Sequence, residues 1–235
     1  MNWTEVSKTK DLEAVRIAVA ELDLNERDER GRTPLMLFLT NRMPLQAIEL
    51  LIRQGADLEV EDRLGDTALK KAVKFKQKEA IVKLLEAGVK LDSPQGILAT
   101  AWNAARGSKE IADMLLETKG SVRLSLTPEE DDVLDDILYD ESQESVCDKI
   151  RCLNSPVLLH AVVNGYNWDD GPGPMFCAFH NSALQEITML DMYELLDGDY
   201  WLEQDDPALD GTTESQRWKE LAAALKERLE QIHPI

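Results

Sequence analysis

Gly31-Arg32-Thr33-Pro34-Leu35 returns as Gly65-Asp66-Thr67-Ala68-Leu69, and Leu50-Leu51 returns as Leu84-Leu85, in both cases 34 residues later. Each unit closes on a glycine segment, Gln54-Gly55-Ala56-Asp57-Leu58 in one and Ala87-Gly88-Val89-Lys90-Leu91 in the next. This period, with its turn and two short apolar segments, predicts paired helices that stack, because a unit so small cannot bury its own apolar face. Thr33 fits a helix N-cap whose hydroxyl serves a backbone donor, and Pro34 fits the first helical position, where no N–H is needed. The closing glycines fit left-handed residues after the second helix.

These segments resemble the ankyrin repeat, which implies an all-α helical repeat solenoid that binds other proteins. Met36 stands where that family usually has a histidine, and Lys70 stands there in the next repeat. Both departures bear on the usual hydrogen bonding of the turns, not on the fold. Asp11-Leu12-Glu13-Ala14-Val15 and Asp23-Leu24-Asn25 read as the tail of a capping repeat. Gly107 to Leu116 matches an inter-helix turn and second helix, although residues 96–122 lack a Thr-Pro-Leu segment. The expected division is a repeat domain at 1–122, with a cap at 7–27 and repeats at 28–60, 61–91 and 92–122, followed by an acidic α-helical domain at 123–235.

Charge supports a junction at residues 119–127. Residues 1–120 hold 19 basic and 20 acidic side chains, whereas residues 121–235 hold 7 and 25, so almost all of the net charge of −19 lies in the second half. Such a surface excludes non-specific binding to nucleic-acid phosphates. It keeps the chain soluble or meets a cationic partner. Apolar runs are far shorter than the roughly 20 residues that cross a membrane, and MNWTEVSKTKDLEA lacks a signal-peptide core, so a cytoplasmic protein is expected. Three cysteines in one half of the chain make no disulfide framework.

In an ankyrin-like stack the turn tips and first-helix faces line a concave surface, which here would carry Arg30, Arg63, Leu64, Lys70, Lys74 and Trp102 as partner contacts. Residues 70–83 contain six lysines and one acid, a local basic run that reads as a solvated face or a dock for an acidic surface. Only Phe75 interleaves with these lysines, which argues against nucleic acid.

The second half reads as helices. Thr127-Pro128-Glu129-Glu130 is a capping box, and Val133, Leu134, Ile137 and Leu138 recur on one face. Further starts lie at Ser155-Pro156 and Ser182-Ala183-Leu184-Gln185, with stops at Gly165 and Gly198. A last helix runs through Trp218, Leu221, Leu225, Leu229 and Ile232. Tyr166-Asn167-Trp168-Asp169-Asp170-Gly171 resembles the N-W-D-D-G stretch of a small bacterial domain of unknown function 4274, with Asp197-Gly198-Asp199-Tyr200-Trp201 as its second element. That resemblance spans about residues 150–202 and implies a bacterial source without an activity. Physically, Asn167, Asp169 and Asp170 can close a turn through their own backbone bonds while Trp168 anchors it. Alternatively, Trp168, Asp169 and Asp170 form an exposed recognition loop.

Asp169, Asp170, Asp197 and Asp199 lack the alternate spacing and twelfth-position Glu of a calcium loop, and Cys177 with His180 has no second pair for zinc. His160 sits among Leu158, Leu159, Ala161 and Val162 and fits a hydrogen-bonded core residue. Nucleophile elbow, phosphate loop and HExxH segment are missing. No metal, cofactor or catalytic activity is expected. The reading is a protein-binding chain, with an immunity- or antitoxin-type protein covering a basic partner as the specific form and an adaptor using the repeat groove as the alternative.

Overall fold

A computed structural model describes residues 1–204 and 213–232, apart from the side chain of Thr213, and these residues are helical with no strand among them. They divide into two compact units, Met1–Lys119 and Gly120–Ile235.

The first unit is a stack of four helix pairs: α1 (Trp3–Thr9) with α2 (Leu12–Glu21), α3 (Pro34–Thr40) with α4 (Leu45–Arg53), α5 (Ala68–Lys74) with α6 (Lys78–Glu86), and α7 (Ala101–Ala105) with α8 (Lys109–Asp113). The first helices α1, α3, α5 and α7 pack in one row and α2, α4 and α6 in another. This is an ankyrin-type repeat architecture. Between the rows lie Leu35, Phe38, Leu39, Ile48, Leu51, Leu69, Ile81 and Leu84, all fully buried, and each such side chain contributes about 1.5–3 kcal/mol. The first helix starts at Trp3, ahead of the expected cap, because Asn2 supplies the N-cap by accepting from the Glu5 amide at 2.9 Å.

The repeated threonines cap as expected: Thr33 accepts from the Met36 amide and Thr67 from the Lys70 amide. Thr100 accepts from Asn103 in the same way, so Thr100-Ala101-Trp102 is the missing Thr-Pro-Leu equivalent, one residue early. Trp102 therefore occupies the Leu69 position and is fully buried. The expectation that it lines an exposed surface is corrected by this register.

Carbonyls of the turns find different donors in successive repeats. Lys70 Nζ donates to Gly65 O at 3.0 Å, and Asn103 Nδ2 donates to Leu98 O at 3.0 Å, each reaching back five residues. Met36 has no donor, and Arg27 Nε serves Gly31 O instead at 3.1 Å. Arg27 also donates to Glu61 O in the following turn.

Beneath the second turn, Lys71 Nζ lies 2.7 Å from Asp62 and 2.6 Å from Asp66, and its side chain is only 9% exposed. Burial raises the carboxyls of Asp62 and Asp66, but hydrogen bonds from Lys71, joined by the Asp66 and Leu64 amides at Asp62 and by Lys74 at Asp66, together with the lysine charge outweigh it and hold both below their ordinary value. Burial likewise lowers Lys71, and its two carboxylate partners reverse this and raise it above 10.5.

The second unit packs α9 (Pro128–Leu138), α10 (Gln143–Cys152), α11 (Pro156–Gly165), α12 (Gly173–Phe179), α13 (Glu186–Leu195), α14 (Gly198–Glu203) and α15 (Thr213–Ile232). Its core includes Ile137, Ile150, Leu159, Val162, Met175, Met192, Leu221 and Leu225. Thr127 and Glu130 form the capping box of α9. Ile137 is buried on that helix while Val133 is 41% exposed, so the apolar face is narrower than the sequence pattern implied. The helix after Ser182 starts at Glu186, because the Asn181 side chain accepts from the Ala183 amide and holds the intervening residues in a turn. Gly198 opens α14 rather than ending α13, which stops at Leu195.

Two outcomes test this packing. Because folded Asp62 and Asp66 titrate below their unfolded values, the stability they supply is complete above about pH 4 and is lost as pH falls further, whereas the part from Lys71 is lost only above its ordinary alkaline range. Lys71→Met leaves the Asp62 carboxylate buried without its cation, so urea unfolding at neutral pH is expected to lose on the order of 3 kcal/mol, with a shallower decline on acidification. A Cβ on Gly198 would lie 2.3 Å from the Tyr193 ring, whereas one on Gly107 meets nothing within 4 Å. Thermal melts should therefore show Gly198→Ala destabilised by about 1–3 kcal/mol and Gly107→Ala close to the parent.

Candidate functional site

Three surfaces carry the residues singled out from the sequence. In the repeat unit, Asp28 Oδ1 accepts from the Arg30 and Arg32 amides, and Asp62 Oδ1 accepts from Leu64 and Asp66, so each aspartate folds a tight turn around a left-handed glycine. The Arg63 amide donates to Arg30 O at 3.0 Å and joins the two turns. Arg30 and Arg63 are exposed at these tips, and Leu64 is 82% exposed there. An apolar side chain that bare, on a turn held by five backbone bonds, is presented rigidly to solvent.

The basic run does not form a free cationic face. Lys71 is buried in its ion pairs, Lys74 pairs with Asp66 at 3.0 Å, Lys78 pairs with Glu110, and Lys83 pairs with Glu86 and Glu49. Glu86 lies on the same helix as Lys83, and the other acids come from turns and neighbouring helices, so the sequence run of lysines is interleaved with carboxylates in space. Lys70 is half-buried on its turn carbonyl and lines a groove of about 190 Å³ whose other walls include Glu59, Glu61, Lys90 and Asp92. Sequence reasoning missed these four residues, which lie on the segments linking consecutive helix pairs. Mixed charge along that groove suits a partner recognised by shape and hydrogen bonding.

The second surface is α9 with α10. Glu129, Asp131, Asp132, Asp135, Asp136, Glu141 and Glu144 are exposed along it. Lys149 bridges Asp136 and Asp140 at 2.8 Å each, and with help from the Ser145 hydroxyl and the Ser142 amide it holds the Asp140 carboxyl far below its usual range. Arg151 pairs with Asp148 at 2.7 Å, and Arg123 pairs with Glu130. These cations gather four acids and leave the outer face of α9 strongly negative.

The third is the loop at residues 166–171. Asn167 Oδ1 accepts from the Asp169 amide, and Asn167 Nδ2 donates to Asp170 Oδ1 at 2.9 Å. Tyr166 Oη donates to Gly171 O at 2.8 Å. Trp168 Nε1 donates to Val163 O, and its ring lies 5.7 Å from that of Trp218. Trp168 is half-buried, while Asp169 and Asp170 are exposed. The loop is thus closed by its own side chains and pinned to the core, leaving two carboxylates outside.

His160 is buried, with Nδ1 3.0 Å from Thr188 Oγ1 and Nε2 3.7 Å from Asp191 Oδ2. Asn164 donates to the same Asp191 oxygen at 3.1 Å. All of Thr188, His160 and Asp191 lie below the surface, so the cluster ties α11 to α13. Among the described residues no group of three His, Cys, Asp or Glu side chains is placed to hold a metal ion. No described helix is long and apolar enough to cross a membrane.

The anchoring of the loop predicts a split between neighbours. Trp168→Ala is expected to cost about 2–3 kcal/mol in chemical unfolding, since it removes both the indole packing and the bond to Val163. Asp169→Ala should stay within about 0.5 kcal/mol of the parent.

Residues 4–95 match the family model for ankyrin repeats in three copies, and residues 154–230 match the model for a domain of unknown function, DUF4274. No curated protein matches the chain. The helix pair α7–α8 lies past the first match yet repeats its threonine cap and its turn bond. The second match takes in α15, beyond the reach of the resemblance in the loop. The chain therefore joins ankyrin repeats, which are non-catalytic protein-interaction domains, to a DUF4274 domain.

Proposed function

We propose that the chain is a bacterial immunity- or antitoxin-type protein that neutralises a cationic partner. The observation that carries this reading is the outer face of α9 and the α9–α10 turn, where Asp131, Asp132, Asp135 and Glu141 stand exposed in a half of the chain with 25 acids and 7 bases. A surface of one sign steers an oppositely charged partner and raises its association rate, and it repels partners of like charge. Covering a nuclease-type active site, itself rich in Lys and Arg, needs that property and no bond-making. Asp169 and Asp170, held on a rigid loop, add two further carboxylates to the reading, and the turn tips Arg30, Arg63 and Leu64 with Lys70 and Lys74 supply the second contact surface.

The exposed Leu64 favours a second reading, a regulatory adaptor whose repeat groove takes a protein segment while the acidic unit maintains solubility. The two readings part on the chemistry of binding. Association with a cationic toxin encoded by a neighbouring reading frame is expected to slow about tenfold or more as salt rises from about 0.05 to about 0.5 M. Combined Asp131→Asn, Asp132→Asn and Asp135→Asn should weaken that association and abolish protection of cells expressing the toxin. Binding indifferent to salt and to those substitutions, but lost in Leu64→Asp, would instead establish the adaptor.

A further inference from the structure

Within this strongly acidic half of the chain lies a recess of opposite character. It has a volume of about 610 Å³ and is walled by α10, α12 and α15. Arg151, Arg217 and His180 line it together with Phe176, Cys177 and Ser182, and none of the described residues lining it is acidic. Its floor is built rigidly. Asn181, buried, donates to Ile150 O at 2.7 Å and Leu153 O at 3.0 Å, which ties the end of α10 to the end of α12.

The cations are available to a ligand. Arg217 lies over the Phe176 ring, 5.2 Å from its centroid, and is exposed. Stacking of this kind uses the face of a guanidinium and leaves its N–H edge to donate. Arg151 donates to Asp148 through Nη1 at 2.7 Å, one of its five N–H donors. His180 Nδ1 contacts Phe176 O at 2.8 Å, so this nitrogen carries the proton and Nε2 is left outward. Two guanidinium forks around one space match oxyanions, which take paired N–H donors, while His180 adds a polar wall.

We propose that this recess binds a small anion bearing a phosphoryl or carboxylate group. Size follows from the field around it. A polyanion such as nucleic acid or an acidic protein is repelled by the excess of acids in this half of the chain, one of which, Asp148, stands beside Arg151. A compact mono- or dianion enters the recess and meets Arg151 and Arg217 among neutral walls. A volume of this order suits a small molecule.

The test uses the whole 235-residue chain and no partner, so its result is independent of the toxin-binding reading. Titration calorimetry at low salt with pyrophosphate, and separately with succinate, is expected to give a dissociation constant below about 1 mM for one or both, which assigns the phosphoryl or the carboxylate class. Arg217→Met and Arg151→Met, each keeping an apolar stem at an exposed site, should weaken that binding about tenfold or more. Lys226→Met, an exposed change on α15 outside the recess, should leave it unchanged, and unaltered melting temperatures would exclude misfolding of the variants. No uptake of either anion up to about 10 mM, or uptake that all three variants weaken equally, would overturn the proposal.

Discussion

A helix pair of some thirty residues cannot cover its own apolar face, and everything in the first unit follows from that. Leu35, Leu69 and Trp102 take the same place in successive first helices, and each is covered because a neighbouring helix of the row packs beside it, α5 alone in the case of Trp102 on α7. Bonds between repeats keep the rows in register. Asn41 Nδ2 donates to Ser7 Oγ at 2.7 Å, Asn25 Oδ1 accepts from the Asp57 amide at 2.8 Å, and Glu59 accepts from the Lys90 amide at 2.8 Å. Stacking leaves the turn tips outside, where Arg63 and Leu64 have no packing duty. The contact proposed for a partner is placed there because those side chains are free of the core.

Electrostatics separates the two units more sharply than the fold does. In the repeats nearly balanced charge is consumed internally: Lys71 joins Asp62 and Asp66 beneath a turn, and Lys83 joins Glu49 and Glu86 across two helices. Such pairs fix local geometry and contribute little field at a distance. In the second unit there are too few cations to do this. Lys149 is shared by Asp136 and Asp140, and Asp131, Asp132 and Asp135 remain exposed on α9.

What could be read from the sequence was whatever rests on local bonding. Thr33, Thr67 and Thr127 cap helices because the hydroxyl and the amide it serves lie three residues apart, and the 34-residue spacing marks repeats because it reports one stacking unit. Thr100 escaped notice because its repeat is one residue shorter and carries Trp in place of Leu, and the same shift turned a core residue into an expected surface one. The helix α12 was hidden by Gly171-Pro172-Gly173-Pro174, which reads as a loop although Pro174 sits in the first turn, where a missing N–H is harmless. The lysine run misled for a different reason. Several neutralising acids flank the run, Asp62 and Asp66 before it and Glu86 after it, while only the fold brings Glu49 to Lys83 or Glu110 to Lys78. The recess walled by α10, α12 and α15 was illegible for the same cause, since Arg151 and Arg217 are 66 positions apart and meet only through tertiary packing.

These differences make the two units suited to different kinds of recognition. A surface whose charges are already paired gains little from long-range attraction, so in the adaptor reading proposed above a partner in the groove beside Lys70 and Asp92 is discriminated by fit, and a poor fit there is not rescued by low salt. An unpaired acidic helix behaves in the opposite way: it attracts cationic surfaces before any contact is made and distinguishes poorly among them once they arrive. A protein carrying both in one chain can take rate from one and selectivity from the other. Under the proposed function that combination joins fast capture to selectivity, and it requires that α9 stay exposed, because covering it internally would remove the field on which such capture depends.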